Sequence, residues 1–231
     1  MNDDGELPLY GAVRNQHTTV AELLRQHGGV EHGYQLSHPD QTITNWNAAE
    51  LRDAIRNDDL KAVKSLLKAN PSLISSRDVQ NRTPLILAAM AGRTNLVEVL
   101  LANKADLQAT DMFGRTALHW AAVLAEYDMA QLLLADGADI NARKKGGDTP
   151  LHEAVHGGRT NMVEMAELLL AHGADINVTN DAGGTPLREV VAEINRLLPP
   201  NLPATAVAGF SMVKEREKGV ADFLRQHGGH E

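Results

Sequence analysis

The sequence predicts an all-α solenoid, a stack of helix-turn-helix units joined by short hairpin-like loop fingers. Three observations carry that prediction. Thr83, Thr116, Thr149 and Thr185 open similar segments at spacings of 33, 33 and 36 residues, and a fixed period in that range marks a stacked repeat array. Each segment holds two short stretches with helical apolar spacing and, in the best-formed copies, a glycine stop before the next finger. Aromatic residues make up only 3% of the chain, as expected where Leu, Ala and Val fill thin layers between short helices.

Taken in order, residues 6–29 read as one divergent repeat. Pro8 suits a first helical turn, Thr18 or Thr19 can cap a second helix bearing Val20, Leu23 and Leu24, and Gly28–Gly29 stop it. VAELLRQHGG at 20–29 matches VADFLRQHGG at 220–229 in eight of ten positions. The segment 1–29 is therefore either a cap for the array that follows or the last repeat of another array. Residues 30–45 have no period and contain Gly, Pro, Ser and Asn, a linker composition. The array proper is expected over 46–231, with repeats near 46–82, 83–115, 116–148, 149–184 and 185–231. In the first, Asn70 can take the left-handed conformation usually given to glycine. The repeat from 149 carries three extra residues, MAE at 165–167 or their equivalent, expected to lengthen its second helix by nearly one turn. The last carries an insertion at 199–219 whose prolines exclude helix at its start, leading to a charged helix around 207–226 with Gly219 as a weak point.

Composition limits the functions available. Lys plus Arg number 22 and Asp plus Glu 30, a net charge of −8, which argues against a nucleic-acid binder or an anionic-membrane binder. The absence of cysteine removes disulfides, thiolate metal sites and thiol catalysis. MNDDGELP has neither positive residues nor an apolar core, and no apolar run approaches a membrane span. The expected protein is a soluble cytoplasmic monomer with no cofactor and no metal.

The segments TPLILAAM at 83, TALHWAAV at 116 and TPLHEAVH at 149, followed by ADLQ or GADIN, resemble the ankyrin repeat. The resemblance implies an ankyrin-repeat solenoid that binds a partner protein or peptide without catalysis. It also implies a groove lined by the first helix of each repeat and by the loop fingers. Carried onto this sequence, the groove positions are Trp120, Val123 and Leu124 in one repeat and Leu87, Met90 and Ala91 in the one before. Asp53, Arg56 and Asn57 lie to one side and Glu153, His156 and Gly157 to the other. Met112 and Phe113 stand at the tip of a finger, where large apolar side chains have nothing to bury against. An apolar centre of Met90, Met112, Phe113, Trp120, Val123 and Leu124 has the composition of an interface hot spot; alternatively Trp120 is half-buried by its neighbours and the tip is neutral variation. Arg115, Lys144 and Lys145, with Arg77, Arg82 and Arg143, form a basic edge that either steers an acidic partner segment or is simply solvated.

Two further classes are weighed. HEAVH at 152–156 matches the zinc-hydrolase pattern in which two histidines one turn apart hold metal. Yet His152 and His119 occupy the TPLH histidine position, where the family uses the imidazole for loop hydrogen bonding. A self-associating scaffold is the other alternative. HGGHE at 227–231 reads as a glycine stop and a frayed end. Asn141 and Asn177 stand in the ADIN context that asparaginyl hydroxylases modify in ankyrin proteins, where the side chain is expected to tie its own finger turn together.

Overall fold

A computed structural model describes residues 42–156, 161–197 and 218–231, with side chains from 48 onward and, in the helix before 198, up to 194. The segment 6–29, most of the 30–45 linker, Gly157 and most of the 199–219 insertion lie outside the described residues. The chain divides into two compact units, Met1–Trp46 and Asn47–Glu231, and the site lies wholly within the second.

The described helices are α1 (Thr42–Arg56), α2 (Leu60–Ala69), α3 (Pro84–Met90), α4 (Thr94–Ala102), α5 (Ala117–Leu124), α6 (Tyr127–Ala135), α7 (Pro150–Val155), α8 (Met162–Ala171), α9 (Pro186–Leu197) and a closing α10 over 218–226. They form a helical repeat solenoid, with α3, α5, α7 and α9 as first helices of successive repeats. Helix α1 begins at Thr42, inside the expected linker, because Thr42–Asn45 hold neither glycine nor proline to stop it.

The first helices start alike. Thr83 Oγ1 accepts from Ile86 N at 3.4 Å, and Thr116 caps α5 through a reciprocal box with His119. Pro84 and Pro150 fill first-turn positions that lack an intrahelical acceptor. The second helices end alike too. Lys104, Gly137, Gly173 and Gly228 all have positive φ, and each following amide reaches back to the helix, as in Ala138 N→Leu133 O at 2.9 Å and Gly229 N→Leu224 O at 2.8 Å. Asn70 departs from expectation: its backbone is extended (φ −141°), and its side chain instead accepts from Ser72 N to start the 3-10 turn Pro71–Ser75. Pro71 explains this, since the residue before a proline is pushed to the extended region.

One apolar core runs through α1–α8, with Leu51, Leu85, Leu100, Leu118, Leu133, Leu151 and Leu169 buried in it. A second cluster joins Val155 and Met162 to Leu187 and Val190 of α9 and to Val220, Ala221 and Leu224 of α10. The extra residues of the repeat from 149 do not lengthen its second helix by a turn. Helix α8 has 10 residues against 9 in α4 and in α6; residues 156–161 separate it from α7, where 125–126 suffice between α5 and α6. The buried Met165, Ala166 and Leu169 keep the register of Leu96, Val97 and Leu100, so the extra residues fall before α8 rather than within it. The carboxyl end is held rather than frayed: Thr185 Oγ1 donates to His230 O, and His230 N donates to Asn177 Oδ1 at 2.8 Å.

Candidate functional site

Four fingers precede the first helices, at residues 78–83, 111–116, 144–149 and 180–185. Each closes on itself through one backbone pair: Asp78 N→Arg82 O, Asp111 N→Arg115 O, Lys144 N→Asp148 O and Asn180 N→Gly184 O. In three of them the first side chain stiffens the turn. Asp78 Oδ1 accepts from Gln80 N and Arg82 N, Asp111 Oδ1 from Phe113 N and Arg115 N, and Asn180 Oδ1 from Ala182 N and Gly184 N, all at 2.8–3.1 Å. Lys144 offers no such acceptor, and there the turn depends on Gly146 at φ 95°, a conformation strained for any side chain. Successive fingers are linked tip to tip by Met112 N→Gln80 O, Lys145 N→Phe113 O and Asp181 N→Gly146 O, at 2.8–2.9 Å.

The two TPLH-position histidines join first helices to fingers. Thr116 N donates to His119 Nδ1 at 3.2 Å, so that nitrogen is an acceptor and Nε2 carries the proton facing Asp148 O at 3.2 Å. His152 repeats the arrangement, with Thr149 N on Nδ1 and Gly184 O at 3.1 Å from Nε2. Burial, opposed by the bond to the facing carbonyl, holds both imidazoles below the usual histidine pKa. Both nitrogens of His152 are therefore engaged, and it has no lone pair to give a metal. His156 instead lies 3.3 Å from Glu189. Asn141 and Asn177 bridge repeats rather than tying their own turns: Asp175 N donates to Asn141 Oδ1, and Asn177 Nδ2 donates to Gly228 O.

The expected site residues fall into distinct environments. Met112 and Phe113 stand out at 45% and 51% exposure, while Met90, Trp120, Val123 and Leu124 are half-buried. Trp120 packs against the main core along one side. The guanidinium of Arg115 lies over both rings, its Cζ 5.6 Å from the Phe113 centroid and 4.9 Å from that of Trp120. The finger tip and the helix face are thus joined through a cation, not as one continuous apolar patch. Met90 belongs elsewhere, with its sulfur 3.7 Å from Arg82 Nη1, and Arg82 itself holds Asp78.

Charge is rearranged more than the sequence suggested. Glu153 is not an exposed groove residue; its carboxylate is buried, 2.5 Å from Lys144 Nζ and 3.7 Å from Arg115 Nε. Lys144 also meets Asp148 at 3.0 Å. Burial pulls the Lys144 ammonium down, but its bonds to Glu153 and Asp148 outweigh that and hold its pKa above the ordinary lysine value. Burial likewise raises Asp148, and the bonds from Asn180 and Lys144 overcome it to leave a net lowering. Lys144 is consumed inside the protein and is not part of a free basic edge. Arg143 pairs with Asp181 at 3.1 Å, and Arg77 bonds the carbonyls of Asn81 and Thr110. Lys145 is exposed. On the neighbouring side Asp53 and Arg56 pair with each other at 2.8 Å.

Two exposed apolar residues escaped the sequence reading, Val79 at 101% and Tyr127 at 42%. Val79 was findable, since it stands at a finger tip under the same rule that singled out Met112 and Phe113. Tyr127 opens α6 just before its buried Met129–Ala130 pair, and only the helix phase reveals its exposure. Among the described residues no helix is long and apolar enough to cross a membrane.

Comparison with known families places this geometry. A family model for ankyrin repeats in three copies matches residues 51–144, and one for a single ankyrin repeat matches residues 146–181. Together the matches cover more than half of the chain. No curated protein matches it.

Proposed function

Because the chain belongs to the ankyrin-repeat family, whose members are generally protein–protein interaction modules, we propose that it is a non-catalytic module binding a partner protein or peptide. The binding face in this reading combines the tip of the second finger with the adjoining face of α5: Met112, Phe113, Arg115, Trp120, Val123 and Leu124, flanked by Lys145. The observation that carries it is the pair Met112–Phe113, two large apolar side chains about half-exposed at a finger tip. Large apolar side chains in such a position, beside a half-buried tryptophan and an arginine, have the residue types that dominate interface energetics. The proposed array of repeats begins near residue 46, and segment 1–29 is proposed as a divergent ankyrin-like repeat or cap.

The test is quantitative affinity capture with the wild type and with Phe113→Ala, read by mass spectrometry, with melting temperatures in parallel. A partner retained at least tenfold better by the wild type, at equal melting temperature, is the expected outcome. Equal retention by both proteins contradicts this placement of the binding face. Capture of the same chain, confirmed by concentration-dependent sedimentation, replaces partner binding with self-assembly.

A further inference from the structure

Two buried nitrogens in the described residues have no hydrogen-bond partner, Arg115 Nε and Trp120 Nε1. They lie in one place, since the Arg115 guanidinium covers the Trp120 ring at 4.9 Å. Native proteins pair nearly all such groups, and one left unpaired carries a desolvation penalty. Among the described residues no side-chain nitrogen of Arg115 makes a hydrogen bond: its ion-pair partner Glu153 stands 3.7 Å away and already accepts from Lys144 at 2.5 Å. The guanidinium uses its face against the rings of Phe113 and Trp120, and its Nε side faces Glu153 at ion-pair distance only, so its N–H donors are not satisfied by hydrogen bonds among the described residues. Their edge, a planar fork of donors, matches a carboxylate.

The surrounding charges agree. Asp111 turns its carboxylate inward onto the amides of Phe113 and Arg115, Asp148 is held by Lys144 and Asn180, and Asp181 by Arg143. Against the carboxylates of Glu153 and Asp148 stand Arg115, Lys144 and the exposed Lys145, whose amide bonds Phe113 O at 2.8 Å. Counted with Asp111, three cations face three carboxylates, and of the cations only Lys145 makes no ion pair among the described residues.

We propose that Phe113, Arg115 and Trp120, with Lys145 at the rim, form a carboxylate-recognising corner that takes a Glu or Asp side chain from an apolar segment of the partner. The proposal rests on the reading of the chain as a peptide-binding module and names the chemistry its partner must carry. The exposed Phe113 forms the outer wall. Its outward movement lets an incoming oxygen reach the guanidinium edge and the indole N–H together, while neighbouring Leu or Phe side chains of the segment cover Met112 and Val123. An amide in place of the carboxylate presents one acceptor and no charge, so it loses the paired, charge-assisted geometry.

The experiment uses the full chain and two probes, a dodecapeptide alternating Glu with Leu and Phe, and the same peptide with Gln for Glu. Nitrogen-15 spectra follow the indole N–H resonances, with Trp46→Phe to assign that of Trp120. The Glu peptide is expected to bind at least tenfold tighter than the Gln peptide and to move the Trp120 indole proton downfield. Arg115→Met is expected to erase that preference, so that the variant binds the Glu and Gln peptides equally. Arg115→Lys, which keeps the charge but not the fork, is expected to lose most of it with an unchanged helical spectrum. Equal affinity for both peptides, or an unmoved indole resonance, overturns the carboxylate corner and leaves the binding-module reading standing. Failure of both peptides to bind overturns the corner and removes this face as a peptide site.

Discussion

In the second finger Asp111 turns its carboxylate inward onto two backbone amides, whereas in the third Lys144 occupies the same place and reaches across to Glu153 and Asp148. The consequences run through both loops. The second finger, stiffened by its own first residue, carries Phe113 at a turn position with negative φ, where any side chain fits, and so presents an aromatic to solvent. The third has no internal acceptor and needs glycine at that position, Gly146 at φ 95°. Its lysine is free to neutralise a glutamate that α7 buries. The residue at the head of the finger thus separates a tip that exposes an aromatic from one whose lysine pairs with the next repeat's carboxylates.

The largest effects should fall outside this difference. Leu133 of α6 and Leu169 of α8 are both fully buried, so Leu→Ala at either should cost roughly 2–5 kcal/mol, measured by urea unfolding. Coupling in a solenoid is to nearest neighbours, so the damage should spread from the altered repeat. A loss below about 0.5 kcal/mol at both would mean that the layers behind the fingers are mispositioned.

The turn position itself separates the two loops. Gly146→Ala meets nothing within 4 Å, so its cost is conformational and should be about 1–2 kcal/mol. Phe113→Ala, at the same place in the second finger, should change stability by less than about 0.5 kcal/mol. Equal costs would erase the distinction between the turns.

Acid should separate them again. His119 ties α5 to Asp148 O of the third finger, but α3 has Ile86 at the corresponding position, so no imidazole ties the second finger. Burial holds His119 and His152 below the usual histidine value, so the fold favours the neutral form. Their contribution is complete above the unfolded histidine pKa of about 6.5 and is lost as pH falls from there through the folded value. Melting temperature should therefore drop between pH 7.5 and 5, with amide exchange rising in 144–149 before 111–116. Lys144 has the opposite sign. Its folded pKa is raised, so its contribution is present below the unfolded lysine value, about 10.4, and fades as pH rises through the folded one.

The smallest effect concerns the helix stops ahead of the two fingers. Lys104 ends α4 at φ 65°, where Gly137 ends α6 at φ 93°. Lys104→Gly should stabilise by about 0.5–1 kcal/mol by relieving a left-handed lysine, seen as a raised urea midpoint at constant slope.

The repeat frame was readable from Thr83, Thr116, Thr149 and Thr185 because each opens a helix at the same point in a local pattern. The loop-bonding roles of His119 and His152 came from the resemblance to the ankyrin repeat, not from the spacing. What escaped depends on contacts between segments. Glu153 reads as a groove residue because a helix pattern gives its face but not the lysine that arrives from the finger before it. Arg115 looked like one charge on a basic edge, and only the folded finger lays it over Trp120. The three extra residues of the repeat from 149 are expected inside its second helix, and the buried register of Met165 and Leu169 places them before that helix instead.

The central claim is that a partner is held by the second finger and the face of α5. Amide hydrogen exchange of the full chain, with and without the partner captured by the wild type, tests it most directly. The account predicts new protection at 112–115 and 120–125, with the outer helices α4 and α6 unchanged. Protection confined to α4 and α6, with the second finger exchanging as in the free protein, would contradict it.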